Sequence, residues 1–417
     1  MPWRGYIRVA GQNIAIYQRA NTVCTVPSFR QRDYLFSNSG YGVIPTDLNG
    51  DQLPDLVITG IGYSQLTNRN VATVDILSGD TEGNLTPINQ LQIETTNGSG
   101  VIAIAGKDFN RDQKNDIVAV DANSGKVTVF WNDGTVKFTQ QTFNLDMAPR
   151  YAQINLEAAD LDQDGYPDLI AGVYNNTTSS YGVKIALNNK GNGFLAPYFV
   201  GLNNQPLRAF ADVTGDGIAD IVTQGENYSS TSLTVFPGDG IGSFGAPITS
   251  IYNSDGQVSS VSSSAFGDFN SDGYLDLALN FSHYTNNTYV RAIAFIPSLG
   301  NGKFGTAIFS DITNYSNELR LTVGDFNGDG RLDIIGINGQ ERHYFAGAGE
   351  GKFTDTPGIA SLGEFQPAQT VAVDLNRDGK DEIIFLDQNN RRLIINLNRC
   401  GNATAPGIYG NVRSPLP

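Results

Sequence analysis

Seven short segments of this chain carry oxygen-bearing residues at every second position, a pattern that gathers hard donors around one point. Each follows D-x-[D/N/T]-x-D-x-x-x-[D/E], so positions 1, 3, 5 and 9 supply the oxygens. The first segment holds Asp47, Asn49, Asp51 and Asp55, and the second Asp108, Asn110, Asp112 and Asp116. The third holds Asp160, Asp162, Asp164 and Asp168, the fourth Asp212, Thr214, Asp216 and Asp220. Asp268, Asn270, Asp272 and Asp276 form the fifth; Asp325, Asn327, Asp329 and Asp333 the sixth; Asp374, Asn376, Asp378 and Glu382 the seventh. Side chains at positions 1, 3 and 5 converge only if the backbone curls around a common centre. Position 9 then closes the cage, and a carbonyl near position 7 adds another oxygen. An all-oxygen set selects Ca²⁺ over zinc or copper, and a flexible loop suits Ca²⁺ better than Mg²⁺. One such match is an ordinary Asx-rich turn. Seven in register imply a repeated metal loop, with up to seven Ca²⁺ as the expected cofactor.

Charge supports the same reading. Counting Asp381, these segments hold 23 of the 42 acidic residues, and seven divalent ions would bring the net charge from −15 to about −1. Without metal the clustered carboxylates repel at short range, so chelation is expected to lower the melting temperature. The loops are not equivalent. Gln52 and Gln113 stand where the other five loops have a turn glycine, so the first two loops are expected to be strained or weak. Thr214 offers a neutral oxygen, and Asp381 is placed to compete with Glu382. The loops around Asp162/Asp164 and Asn327/Asp329 are expected to bind best. The acidic balance argues against nucleic acid and anionic membrane surfaces as partners. Two His and two Cys leave little for a zinc site or a His-based triad. No apolar run reaches the roughly 18 residues of a membrane-spanning helix, and Met1–Gly5 has no apolar signal core.

The elements that must position these loops are strands. Successive loops start 61, 52, 52, 56, 57 and 49 residues apart, a period that suits one four-stranded antiparallel blade each. An apolar or alternating stretch precedes each loop (Leu319–Val323) and an apolar strand follows it (Asp116–Val120, Asp333–Ile337). A third strand (Val127–Phe130, Leu233–Phe236) leads into a Gly-rich hairpin, as at Gly238–Phe244, Gly300–Phe304 and Gly347–Phe353. The expected fold is all-β: a seven-bladed β-propeller of four-stranded antiparallel blades, with eight blades as the alternative. These residues resemble the FG-GAP and VCBS repeats, the family that includes the propeller of integrin α-subunits, and the hairpin Ser243–Pro247 nearly spells its namesake letters. The resemblance runs from about Gly40 to Cys400. It implies the propeller and the calcium loops; for function it implies adhesion, sugar binding or, in some members, lyase activity.

Closure of the ring is where the pattern divides. Asn13–Tyr17 lies as far ahead of Asp47 as Val127 lies ahead of Asp160, so it reads as a third strand, like Leu393–Asn396 in the last repeat. Eight third strands against seven loops leave eight blades open, but too little chain follows Asn396 to build another inner strand. Seven blades are therefore preferred, in one domain over residues 1–417, with residues 1–39 completing the last blade and 401–417 as a tail. By loop spacing Cys24 and Cys400 both fall at the hairpin between strands three and four, where a disulfide between them would replace a missing covalent turn.

Connections between strands two and three, on the face opposite the loops, are rich in Tyr, Asn, Ser and Thr. They offer Tyr63, Tyr174, Tyr181, Tyr228, Tyr284 and Tyr289 as candidate ligand contacts, because Tyr gives rigid amphipathic area and the small polar residues adaptable hydrogen bonds. The expected role is an extracellular or cell-surface, non-enzymatic module recognising glycan or protein. A polysaccharide lyase or hydrolase is the alternative, with Arg69, His283, Arg291, Arg342 and His343 as scattered polar candidates that form no motif. A scaffold without a small ligand is the third.

Overall fold

A computed structural model describes residues 4–9, 12–17, 24, 26–35, 39–64, 69–93, 101–121, 124–145, 156–175, 179–203, 205–225, 231–253, 258–285, 288–312, 319–338, 341–357, 367, 369–387 and 390–399. Strands two and three of a blade are covered by a neighbour on both faces, so they need apolar side chains on both sides. Asp116–Asp121 and Glu382–Asp387 are accordingly buried along their whole length. Fourth strands lie at the rim, and Phe138–Asn144 is mostly exposed.

These strands form seven four-stranded antiparallel sheets and one separate two-stranded hairpin, with no helix among the described residues. Blade 1 comprises Ser39–Thr46, Asp55–Ser64, Arg69–Gly79 and Leu85–Ile93. Blades 2 to 6 follow in chain order over residues 101–144, 156–201, 207–253, 258–312 and 320–357. Blade 7 takes Gln369–Val373, Glu382–Asp387 and Arg392–Asn398 from the C-terminal end and Phe29–Leu35 from the N-terminal end. The hydrophobic core divides into seven clusters, each between two consecutive blades, and one of them joins blade 7 to blade 1 through Leu386, Leu393, Leu56 and Ile58. The ring has seven blades, and the eight-bladed alternative is excluded.

The strand that closes the ring is not the one the spacing of Asn13–Tyr17 indicates. Gln12–Tyr17 pairs with Arg4–Val9 in the two-stranded hairpin, outside any blade. Closure falls to Phe29–Leu35, registered from Phe29 opposite Asn398 to Leu35 opposite Arg392. The physical reason lies in the hairpin phenylalanines. The apolar residue at loop position 2 packs under the hairpin Phe of the next blade, as Phe109 does with Phe194 (centroids 5.9 Å) and Phe269 with Phe353 (5.4 Å). Blade 7 has no hairpin Phe of its own, and Phe29 meets Phe326 at 6.4 Å in that place. Arg399 N–H donates to Ser28 O (2.7 Å), and Arg392, held by Asp387 on its own side (2.8 Å), bonds Asp33 (3.2 Å) across the seam.

Candidate metal centres

All seven loops fold alike, and the backbone amides show how. The position-1 carboxylate accepts the N–H of position 6 in every loop, at 2.8–3.0 Å: Gln52, Gln113, Gly165, Gly217, Gly273, Gly330 and Gly379 are the donors. The position-5 carboxylate accepts the N–H of position 7 in every loop, from Leu53 (2.7 Å) to Lys380 (3.0 Å). The curl this requires puts position 6 at positive φ. Five loops use glycine there, while Gln52 and Gln113 take φ of 69° and 68°, at a cost of about 1 kcal/mol each for a residue with a Cβ. Position 4 is also at positive φ, and Arg111, Gln163, Ser271 and Arg377 stand there in loops 2, 3, 5 and 7, so backbone strain does not set loops 1 and 2 apart, and their hydrogen bonds match the others.

Position 9 does more than close a cage. Its carboxylate is fully buried in all seven blades and holds two backbone amides. One oxygen accepts the N–H of position 2; the other accepts the N–H of the residue at the end of strand three or two residues past it. Asp168 bonds Leu161 N (2.8 Å) and Asn188 N (2.7 Å), and Asp116 bonds Phe109 N (3.1 Å) and Asn132 N (2.8 Å). Asp55, Asp220, Asp276, Asp333 and Glu382 repeat the pair. The repeat spacing gives position 9 as an acidic residue, but not this second duty, because strand three lies 14 to 24 residues further along.

Burial and neighbouring charge shift these groups. Burial first, with two neighbouring carboxylates adding to it (positions 1 and 5, or 3 and 1 for Asp168), pushes Asp116, Asp168, Asp276 and Asp333 to about 7 against the pull of the backbone amides. Asp220 and Asp374 are pushed to about 6, and Glu382 goes up as well. Folded pKa values above the unfolded ones mean that the folded metal-free chain binds extra protons between about pH 4 and 7. Stability from these groups is therefore present at acid pH and lost as pH rises through about 7. The metal-free protein is expected to melt higher at pH 5.5 than at pH 8 in calorimetry, with calcium removing or reversing the slope. A metal-free melting temperature that climbs across this window would contradict it.

Loop 3 gives the direct test of whether the residues fit a cation. One oxygen each from Asp160, Asp162 and Asp168 lies within 4.8 Å of the other two. Asp160 Oδ1 is buried with no hydrogen-bond partner, an arrangement that costs free energy unless a cation faces it. The residues fit. Thr214 Oγ1 lies 3.4 Å from Asp212 Oδ1. Asp381 does not compete with Glu382: its Oδ2 accepts Asp325 N–H (2.8 Å) from loop 6, while its own N–H donates to Asp325 O (3.1 Å).

On the opposite face, the structure brings together two of the tyrosines. Tyr174 and Tyr181 are cross-strand partners in blade 3, rings 5.1 Å apart and edge to face, with Tyr181 exposed. Tyr284 pairs with Tyr289 by backbone register at the same end of blade 5, and Tyr63 with Asn70 at the same end of blade 1. Tyr228, Cys400 and residues 401–417 lie outside the described residues. His343 is buried between strands, its Nδ1 2.9 Å from Asp355 Oδ1 and its ring stacked on Phe345, rather than at a surface pocket.

The family described as FG-GAP-like repeat matches residues 108–171, 212–279 and 325–385, each running from the start of one loop through the next loop and into the strand after it. Among curated proteins, a T-cell immunomodulatory protein homolog of Plasmodium falciparum (isolate 3D7) is 24% identical over 269 residues, 55% of this chain. The chain spans 36% of that relative's length. Among solved structures, the WD40 domain of Toxoplasma gondii coronin aligns with a TM-score of 0.50 at 11% identity, covering 90% of this chain and 88% of that one. An Agrocybe aegerita lectin, described as recognising non-reducing terminal N-acetylglucosamine, aligns with a TM-score of 0.48 at 17% identity over 87% of this chain and 96% of that one. The matched segments carry loops 2 to 7, two in each, and loop 1 repeats the same hydrogen bonds outside them, so the matches and the seven-bladed ring together support an FG-GAP repeat β-propeller.

Proposed function

We propose that this propeller is a calcium-stabilised extracellular binding module, non-enzymatic, whose loop face holds the ions and whose opposite face takes a glycan or protein ligand. The observation that carries the calcium half is loop 3, where three carboxylates converge and a buried oxygen of Asp160 has no partner. Positions 1, 3, 5 and 9 of each loop would hold Ca²⁺, which supplies positive charge to a desolvated carboxylate cage and fixes the loop. Support for the binding half is the Tyr174–Tyr181 pair, half-buried at Tyr174 and exposed at Tyr181, since paired aromatic edges present apolar area to sugar C–H faces or to a protein.

A glycan-array screen of the purified chain, run in calcium and again in EDTA, tests the reading. Calcium-dependent binding to a defined sugar, weakened at least about tenfold by Tyr181→Ala, is the expected result for a glycan ligand. A blank array from folded, calcium-loaded protein rules out the glycan arm and sends the search to protein partners. The Cys24–Cys400 disulfide belongs to the same reading, because it suits an oxidising compartment and the backbone bond from Arg399 to Ser28 already ties the two ends of the ring. Non-reducing peptide mapping is expected to recover the two cysteines in one linked species; two free thiols would remove both the bridge and its argument for secretion.

A further inference from the structure

We propose that Asn132, Asn188 and Asn398 are positioning residues that couple each metal loop to the loop of the preceding blade, so that ions fill the ring in groups rather than independently. The inference rests on the calcium reading above. Asn132 and Asn398 end the third strands of their blades, Asn188 lies two residues past the end of its own, bridged to Phe194, and all three are 3–4% exposed. Each main-chain N–H donates to the position-9 carboxylate of its own loop, at 2.8, 2.7 and 3.3 Å. Each Nδ2 crosses to the preceding blade and donates to the position-2 carbonyl there: Asn132 to Leu48 O (2.7 Å), Asn188 to Phe109 O (2.9 Å), Asn398 to Phe326 O (2.7 Å). The same Nδ2 donates to the position-8 carbonyl of its own loop, on Asn115, Pro167 or Asp381 (2.9–3.1 Å).

One residue therefore ties, through its main-chain N–H and its Nδ2, the ninth ligand of one loop to the peptide between positions 2 and 3 of another. A shift of the position-9 carboxylate on binding an ion moves the asparagine, and the asparagine moves the neighbouring loop. Blades 1, 4 and 6 have glycine at this place: Gly79, Gly238 and Gly347 keep the bond to position 9 but have no side chain to send across. A Cβ there would sit 2.4, 2.7 and 2.2 Å from the position-8 carbonyl oxygen, so glycine is required. Blade 5 has Ser298, whose Oγ reaches Val213 O at 3.4 Å. Blade 4 does touch loop 3, through Gly242 N–H on Leu161 O (3.1 Å), but that donor is in the hairpin and does not hold position 9. The ring is thus partitioned: loops 1, 2 and 3 form one coupled group and loops 6 and 7 another, with a weaker link between 4 and 5.

Hydrogen exchange on the full-length protein in saturating calcium tests the coupling. Asp164→Ala disables loop 3 without touching the asparagine bonds, and exchange is read at the amides of loop 2, residues 110–114. The expected result is exchange about tenfold faster in loop 2 for Asp164→Ala, and no such change when Asn188→Gly is also present. Asp216→Ala, which disables loop 4, is expected to leave loop 3 unaffected. Should Asn188→Gly not fold, Asp112→Ala with and without Asn132→Gly, read at loop 1, asks the same question. Loop 2 exchange unmoved by Asp164→Ala, or moved equally with glycine at 188, overturns the coupling while bound calcium, counted by equilibrium dialysis, stays near its full value. A dialysis count of zero in the unmodified chain overturns the calcium reading and the coupling together.

Discussion

Removal of calcium with EDTA is expected to lower the melting temperature by more than about 10 °C, and restoring calcium to recover it. A single site filled at 100 times its dissociation constant stabilises the folded state by about 2.7 kcal/mol, and each kcal/mol moves the midpoint of a domain of 150–250 residues by about 2–4 °C. Several filled loops therefore add to a large shift even in a longer chain. The sign follows from the cages. In loop 3 three carboxylates share a small volume, one of their oxygens is buried without a partner, and Asp168 is held at about 7 by burial and by Asp162 and Asp160. A divalent ion offsets all of these terms together. Magnesium is expected to restore less, because it demands tighter octahedral geometry and gives up its water reluctantly. Scanning calorimetry in EDTA, then in excess calcium, is the measurement. Identical curves would remove the structural role of the ions.

Asp333→Ala is expected to destabilise the protein by at least about 3 kcal/mol even without metal, because the buried donors it leaves unpaired cost about 1–3 kcal/mol each. Asp333 Oδ2 accepts Phe326 N–H (3.1 Å), Asn327 N–H (3.2 Å) and Tyr344 O–H (3.0 Å), while Oδ1 accepts Gly347 N–H (2.8 Å). Truncation strands all four at a fully buried site that joins the loop start to the end of strand three. Asp329→Ala is the matched control. Asp329 is half-buried; its Oδ1 accepts one exposed amide, from Arg331 (2.9 Å), and its Oδ2 accepts Asn327 Nδ2–H (3.2 Å), so its truncation strands fewer donors and water can replace most of what is lost. Denaturant unfolding of both variants in EDTA separates the two duties of these carboxylates. Asp333→Ala should be far less stable than the parent and Asp329→Ala nearly unchanged. Equal losses in the absence of metal would mean that position 9 acts only as a ligand.

Much of this architecture is legible in the chain because it is repetitive and local. A nine-residue loop at a period of 49 to 61 residues marks every blade, and the turn chemistry, the apolar second strands and the Gly-rich hairpins are all short-range signals. Gln52 and Gln113 stand out as poor turn residues before any coordinates are known, and their positive φ is what that pattern demands. The seam was harder. Phe29–Leu35 ends 12 residues before Asp47, much as Phe138–Asn144 ends 16 before Asp160. The competing strand at Asn13–Tyr17 had the better spacing, however, and only pairing partners decide between them. Asp381 shows the same limit: adjacency to Glu382 places it in loop 7, whereas its carboxylate faces loop 6 of the neighbouring blade, 56 residues earlier.

What the amino-acid order determined by itself, then, is each blade's internal plan: which residues curl into a loop, which strands must be buried on both faces, and how many times the unit recurs. These depend on neighbours within a few tens of residues, where periodicity and backbone preference act directly. What only the tertiary structure decided is everything that passes between units. The closing strand Phe29–Leu35, the double grip of each position-9 carboxylate and the asparagine links to the preceding loop join groups from 14 to 369 residues apart. Such contacts come from packing apolar faces around a ring, which forces polar groups at every seam to find partners across it. No local spacing encodes which partner that will be.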